Sequence, residues 1–409
     1  MKILHSSDWH LGHSLFKRRR YAEFELFLRW FSDLIEANSI DVLLISGDIF
    51  DSSMPSNLAQ QLYYQFLCRT AASCCRHVVI IAGNHDSPSF LNAPRELLKA
   101  LNIHVVSSKA EDLADEVLLL DDKHGNPALI VCAVPYLRDR DLRTAEAGEK
   151  PEDKERKLLE GIREHYATVA ALAEQKRNEI GTQLPIVAMG HLFTDGGKTI
   201  DGDGVRELYV GSLAHVSDTV FTDTFDYVAL GHLHLPQKVK HCENIRYSGS
   251  PLAMSFAEAK QQKIVYQIQF QASGASIESI EVPQFQRLEQ IKGDWNLIVS
   301  RIQELAATKT NILLEIVYQS DEIIGNLRER LESETADSQL EILSIKNDNA
   351  VRQALSQVHN NETLAELNLD DVFTRCLDAH KVPAEQRAQL RDAYREIINL
   401  HEQSDPQAE

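Results

Sequence analysis

Short apolar runs, each followed by a turn and then by polar side chains, recur along the first 235 residues. They read KIL (2–4), DVLLI (41–45), HVVII (77–81), PIVAM (185–189) and DYVAL (226–230). The runs are rich in β-branched residues and show little alternation, which predicts strands buried on both faces. Between them, apolar residues spaced three and four apart, as in 24–31, predict amphipathic helices. Strands alternating with helices predict an α/β layered fold.

The pattern changes beyond residue 245. The runs KIVYQIQF and SIESIEV flank QASGA and predict a β-hairpin. Residues 283–345 again mix helical and strand patterns, which predicts a small separate α/β module. The polar segment 346–361 predicts a linker, and two helical patterns follow it. We therefore expect a first domain at 1–282, the α/β module at 283–345, and a linker with a C-terminal helix-loop-helix at 346–409.

The C-terminal helix pair carries an apolar stripe that allows two interpretations. The pair packs on a core of its own, or it presents the stripe to another protein as a groove-binding element. The polar segment before it favours the second interpretation. The stripe residues predicted to bind a partner are Leu369, Val372, Phe373, Leu377, Leu390 and Ile397.

Composition and charge narrow the class of protein. The N-terminus has no apolar signal segment, and no run is long enough to span a bilayer, so we expect a cytoplasmic protein. The six cysteines form no C-x-x-C pair, which disfavours a disulfide framework. The net charge of −19 disfavours a protein that binds nucleic acid unaided. Metal ions, a basic partner or a local basic run must supply positive charge to any phosphate-handling site.

One basic run lies close to the first strand. Lys17, Arg18, Arg19 and Arg20 are four consecutive cations that could contact DNA phosphates. The alternative is a solvated helix start. The segment GGKT at 196–199 lacks the upstream glycine of a P-loop, so no ATP site is expected in this chain.

Side chains that bind metals follow each of the five apolar runs in the first 235 residues, and four times a glycine comes directly before them. The residues are Asp8, His10, Asp48, Asp51, Asn84, His85, Asp86, His191, His232 and His234. Ligands bind outside the carboxyl ends of strands in open α/β sheets, so these side chains are expected to converge. Carboxylate, amide oxygen and imidazole ligands suit Mn, Fe or Zn. Seven of these ten, all except Asp51, His85 and Asp86, are the candidate ligands. Seven exceed the needs of one ion with open positions, and two ions bridged by Asp48 account for them.

The order D-x-H, G-D-x-x-D, G-N-H-D, G-H and G-H-x-H resembles that of the calcineurin-like metallophosphoesterases. The resemblance implies a layered sandwich of mixed sheets flanked by helices. It implies a first metal position formed by Asp8, His10, Asp48 and His234, and a second formed by Asp48, Asn84, His191 and His232. His85 directly follows Asn84, so we expect it to lie close to the phosphate and to stabilise the transition state; the alternative is a hydrogen bond within the loop. Asp51 is expected to orient the His85 ring, as an Asp does in several phosphatases of the family, or to be a plain turn carboxylate, with Asp86 as an alternative orienter.

The segments MKILHSSDWHLG, GDIFDSSMPS and GSPLAMSF resemble a narrower subgroup, the nuclease subunits of SMC-like ATPase complexes. This resemblance implies a DNA exonuclease and endonuclease of repair, recombination and replication, associated with the nucleoid. It makes 1–282 the nuclease domain, 283–345 a capping domain and the C-terminal helices a partner-binding segment. It further implies two divalent ions, with Mn²⁺ favoured over Mg²⁺, Fe²⁺ or Zn²⁺. It also implies a homodimer within a heterotetramer. A small-molecule phosphodiesterase or phosphatase on the same core is the alternative, and a metal-free scaffold is a third interpretation.

Overall fold

The structure, a computed structural model, describes residues 1–142, 150–199, 216–271, 274–320, 324 and 326–347, together with Thr374, Leu377, Arg387 and Leu390. The chain divides into two compact units, Met1–Gln286 and Arg287–Glu409. The boundary predicted after residue 282 lies just before this division. Among the described helices, none combines the length and apolar character needed to cross a membrane.

The first unit contains two six-stranded sheets and a short hairpin. Its strands are β1 (Lys2–Ser6), β2 (Ser14–Leu15), β3 (Arg18–Arg19), β4 (Val42–Ser46), β5 (His77–Ile81), β6 (Ile103–Val106), β7 (Val117–Asp121), β8 (Pro127–Ala133), β9 (Ile186–His191), β10 (Tyr227–Gly231), β11 (Gln237–Lys238), β12 (Ile245–Tyr247), β13 (Ile264–Gln271) and β14 (Gly274–Glu281). Its helices are α1 (Tyr21–Asn38), α2 (Asn57–Ala71), α3 (Pro88–Asn92), α4 (Arg95–Lys99), α5 (Asp139–Leu142) and α6 (Pro151–Ile180).

Both large sheets are mixed. The first has the order β14–β13–β1–β4–β5–β6, with β1, β4, β5 and β6 parallel. The second has the order β11–β12–β10–β9–β8–β7, with β8, β9, β10 and β12 parallel. β2 and β3 form a separate hairpin. The parallel strands at the centre of each sheet therefore end at one edge of that sheet.

Successive residues of the central strands pack on opposite sides, as strands buried on both faces require. In β4, Val42 and Leu44 belong to the core between the two sheets, whereas Leu43 and Ile45 pack in the core that includes α1 and α2. The outer face of the second sheet packs against α6. The first unit is thus a four-layered α/β/β/α sandwich, and the predicted fold class is confirmed.

The second unit has one small sheet. Strands β15 (Arg287–Gly293), β16 (Ile312–Tyr318) and β17 (Leu340–Asn347) are parallel, and helices α7 (Trp295–Ala307) and α8 (Leu327–Thr335) bury its apolar core. Asp294 caps α7 by accepting from Leu297 N. The alternating helix and strand pattern predicted for this region is confirmed, and β15 adds a strand that the sequence did not indicate.

The predicted partner-binding stripe falls mostly beyond the described residues. Leu369, Val372, Phe373 and Ile397 lie outside them. Leu377 and Leu390 are helical, the first buried and the second exposed. The stripe therefore remains a prediction.

Candidate metal centre

All seven predicted ligands lie together where the central strands of the two sheets end. Asp8 and His10 follow β1, Asp48 follows β4, and Asn84 follows β5; His191 closes β9, and His232 and His234 follow β10. Hydrogen bonds join the loops across the sandwich. His232 N donates to Asp8 Oδ1 (2.9 Å), and Asp8 N donates to the Gly47 carbonyl (3.0 Å). These bonds fix strand ends of both sheets around one point.

Four of these residues have a left-handed backbone. The φ angles are +52° at Asp8, +46° at His10, +50° at Asp48 and +102° at His232. Residues with a Cβ seldom adopt such angles, and each instance costs on the order of 1–3 kcal/mol. The surrounding fold therefore holds the site in its ligand-presenting form against local strain.

Two glycines leave room that the site occupies. A Cβ on Gly83 would overlap the Asp48 carboxylate and its backbone N. A Cβ on Gly47, whose φ is +86°, would overlap His191 Nδ1. The glycines before the ligands thus permit close approach as well as tight turns.

The rings of His10 and His234 face each other at the first metal position. Their Nε2 atoms are 3.2 Å apart. On the opposite edge of each ring, His10 Nδ1 lies 3.4 Å from Asp51 Oδ1, and His234 Nδ1 lies 3.2 Å from Glu258 Oε1. Each carboxylate favours a proton on Nδ1, so both Nε2 atoms present lone pairs to the same space.

Asp48 lies between the two predicted metal positions. Its Oδ2 is 3.7 Å from His10 Nε2 and 3.4 Å from His191 Nε2. Its Oδ1 accepts a hydrogen bond from His85 N at 2.9 Å. One oxygen therefore reaches ligands of both positions, as a bridging carboxylate must.

Asn84, His191 and His232 lie together at the second position. His191 Nδ1 donates to the Ser46 carbonyl (2.9 Å), so its Nε2 is the nitrogen that points to the site, 3.0 Å from Asn84 Oδ1. His232 Nε2 is buried and has no hydrogen-bond partner among the described residues. Such a polar atom is costly to bury unless something binds it.

The chemistry of these candidate ligands, as well as their positions, suits divalent cations. Burial raises the pKa of Asp8 and lowers those of His10 and His232. Burial also opposes the charge on His191, but the Asp48 carboxylate outweighs it and raises the pKa of His191 to about 9. Burial likewise opposes the charge on His234, and the Glu258 carboxylate raises its pKa. Imidazoles, two acidic side chains and an unpartnered nitrogen form a set that a cation would stabilise, displacing the protons of His191 and His234.

The predicted orientation of His85 needs a correction. His85 Nδ1 donates to the main-chain carbonyl of Asp51 (2.8 Å), while the Asp51 carboxylate contacts His10 and accepts from His13 Nδ1 (3.0 Å). Because a carbonyl only accepts, the bond holds the His85 proton on Nδ1. Asp51 therefore orients His85 through its backbone and His10 through its side chain.

Asp86, the other candidate orienter, has a structural role. Its carboxylate accepts from the backbone N–H groups of Ile49, Phe50 and Gly83. Burial and the nearby Asp48 carboxylate raise the pKa of Asp86 to about 6. Asp86 thus ties together the loops that follow β4 and β5.

Residues 17–19 of the basic run lie in the hairpin of β2 and β3, and Arg20 is the N-cap residue of α1. Lys17 is exposed at the tip of the hairpin, and Arg18 and Arg19 form the exposed strand β3. Arg20 is buried, paired with Glu23 (2.8 Å) and donating to the Ala253 carbonyl (2.7 Å). Arg20 therefore anchors the hairpin instead of facing solvent.

Sequence patterns missed the residues behind the ligands. Glu258, Ser46 and His13 contact His234, His191 and Asp51, respectively. None belongs to a spaced motif, and each reaches its partner only through the tertiary fold.

Comparisons with known proteins agree with this geometry. The calcineurin-like phosphoesterase family matches residues 1–236, and a family described as a type 5 capsule protein repressor C-terminal domain matches residues 284–381. The SbcD subunit of the nuclease SbcCD from Escherichia coli K12 is 32% identical over 397 residues, covering 96% of this chain and 97% of that protein. The corresponding SbcCD subunit from Rhodobacter capsulatus is 35% identical, covering 63% and 64%. A dimetal phosphatase structure from Danio rerio matches with a TM-score of 0.40 and 11% identity over 69% of this chain and 97% of that one, a likeness too weak to add an argument.

Proposed function

We infer that this chain, which belongs to the calcineurin-like phosphoesterase family, is a metal-dependent nuclease that hydrolyses phosphodiester bonds. The observation that carries this conclusion is the convergence of oxygen and nitrogen donors from five strand ends, with Asp48 Oδ2 lying 3.7 Å from His10 Nε2 and 3.4 Å from His191 Nε2. The likeness to the SbcD subunit of SbcCD extends over 96% of the chain, including the second unit, which favours the nuclease over a small-molecule phosphodiesterase.

The site residues have distinct proposed roles. Asp8, His10, Asp48 and His234 would hold one divalent ion, and Asp48, Asn84, His191 and His232 the other. Two such ions supply positive charge for the phosphate oxygens and lower the pKa of water. The chain itself provides a rigid, strained set of loops, so little reorganisation is needed when the substrate binds.

His85 is the proposed catalytic residue that contacts the phosphate. It is half-buried and directly follows Asn84, and its backbone N–H holds Asp48 Oδ1. Because the Asp51 carbonyl fixes the proton on Nδ1, the Nε2 atom is the one left to face the phosphate. When protonated, Nε2 can donate to a phosphate oxygen or to the departing sugar oxygen.

Replacement of His85 tests this role. His85→Ala should abolish cleavage of DNA and of a chromogenic phosphodiester while two Mn²⁺ ions still bind, as measured by calorimetry. The control is His241→Ala, an exposed histidine outside the site, which should cleave normally. Near-normal cleavage by His85→Ala would contradict the assignment.

DNA specificity and partners extend the proposal. We propose duplex-end exonuclease and hairpin or single-strand endonuclease activity with Mn²⁺, in a homodimer that joins an SMC-like ATPase of the SbcC type and works on the nucleoid in the cytoplasm. The relatives are named as one subunit of the nuclease SbcCD, which supports a partner for this chain as well. A chain ended at residue 350 should keep Mn²⁺-dependent cleavage and lose the ATPase in pull-down, because the helix pair is missing. Retained association would place the partner surface elsewhere.

A further inference from the structure

A buried charge network lies behind the first metal position, outside the predicted motifs. Glu258 is fully buried (0% exposed), and Lys263 is 6% exposed. Lys263 Nζ donates to Glu258 Oε2 (2.5 Å), and Glu258 Oε1 lies 3.2 Å from His234 Nδ1. The pair therefore contacts the side chain of a proposed metal ligand directly.

The same network holds the backbone of His234. The His234 carbonyl accepts from Ser250 N and from Lys263 Nζ, each at 3.2 Å. Glu258 Oε2 also accepts from Met254 N (3.2 Å). Both the main chain and the ring of His234 are thus fixed by groups that arrive from 16 or more residues further along the chain.

Stability alone gives a weak reason for this arrangement. Burying a carboxylate and an ammonium removes both from water, and their mutual attraction barely offsets that cost. Apolar residues of similar volume would serve the core as well. A buried pair whose free carboxylate oxygen meets an imidazole, however, matches the carboxylate–histidine–metal arrangement that fixes a ligand's tautomer and orientation.

We propose that Glu258 is a positioning residue for the first metal position, and that Lys263 holds it so that His234 Nε2 faces the ion. The inference rests on the proposed function, since it assumes the metal centre. It predicts that Glu258 sets the affinity of one of the two positions and leaves the other unchanged.

Calorimetric titration of the metal-free full chain with Mn²⁺ tests the inference without any cleavage assay. Glu258→Gln should weaken one of the two binding events about 10- to 100-fold and leave the second within error of the wild type. The matched control is Glu116→Gln, which removes another fully buried carboxylate paired with an imidazole, His165 Nε2, at 2.7 Å. That control should lower the melting temperature and leave both Mn²⁺ affinities unchanged.

Each outcome has a defined meaning. Wild-type affinity at both positions in folded Glu258→Gln would overturn the inference, as would equal weakening of both. If Glu258→Gln does not fold, Glu258→Asp keeps the charge beside Lys263 but shortens the reach to His234, and it should weaken the same single event. If both variants fail to fold, Glu258 is required for folding, and the positioning role is overturned. A wild-type chain that binds no Mn²⁺ would instead refute the proposed function.

Discussion

Substitution of Gly83 by alanine should damage the metal centre through one added methyl group. The new Cβ would overlap the Asp48 carboxylate and backbone N, and real Cβ atoms do not approach closer than 3.0 Å. Relief of this overlap needs a displacement of about 1 Å, and a misplacement of that size costs about 100-fold in rate. Because Asp48 Oδ2 is the proposed bridge between the two metal positions, both Mn²⁺ affinities should fall as well. Overpacking of this kind also costs about 1–3 kcal/mol of stability.

The assay for Gly83→Ala is Mn²⁺-dependent cleavage of a chromogenic phosphodiester, with metal binding by calorimetry. Gly125→Ala is the control, because Gly125 has a φ of +77° and open space around its Cβ position. The control should lose about 1 kcal/mol of stability and keep full activity. A Gly83→Ala protein with two tightly bound ions and near-normal turnover would refute the steric argument.

Three further predictions concern the side chains around the site. Asp51→Asn removes the charge 3.4 Å from His10 Nδ1 but keeps the backbone carbonyl that orients His85. The Mn²⁺ affinity measured by calorimetry should therefore fall about tenfold, and an unchanged affinity would contradict this. In the metal-free protein, burial opposes the charge on His191 but the Asp48 carboxylate raises its pKa to about 9, so at neutral pH the ring is protonated and Mn²⁺ must displace the proton. The Mn²⁺ affinity should therefore rise from pH 7 to pH 9. Release of the His191 proton should make the binding heat depend on the ionisation enthalpy of the buffer, and an affinity that does not change with pH would contradict the prediction. Arg20→Met should cost about 3–5 kcal/mol in denaturant unfolding, because it leaves a buried carboxylate unpaired, without changing the salt dependence of DNA binding. Replacing residues 17–19 by neutral side chains should instead lower the slope of log DNA affinity against log salt by up to about 3, with little change in stability. If the two effects were exchanged, the assignment of Arg20 as an anchor and of 17–19 as the DNA-contacting cations would be refuted.

The sequence predicted which side chains come together because the pattern that marks them is local. A strand, a glycine and then a polar side chain place Asp48 or His191 at a sheet edge, and parallel strands bring those edges together. The layered fold followed for the same reason, since buried strands such as 77–81 are apolar on both faces. The strands β6 to β8 were not predicted, although IHVV, VLLLD and PALIVCA have the same apolar character.

The roles of supporting residues could not be predicted, because they depend on tertiary contacts. Glu258 meets His234 across 24 residues with no spacing that marks it. The pattern of four consecutive cations also concealed that Arg20 turns inward, since its partner carbonyl at Ala253 lies 233 residues away. For Asp51, the sequence identified the residue, but only the structure shows that the carbonyl rather than the carboxylate meets His85.

The pairing of the first strand with β13 has a consequence for the newly synthesised protein. Ile3 pairs with Val42 of β4 on one side and with Ile268 of β13 on the other, so one neighbour of β1 lies close along the chain and the other more than 260 residues away. Closing so long a loop is slow and comes late in folding. His234 and Glu258 lie in the stretch of chain between β1 and β13, shortly before β13 begins. A chain that lacks β13 therefore leaves one side of β1 unpaired, beside the loop that carries Asp8 and His10.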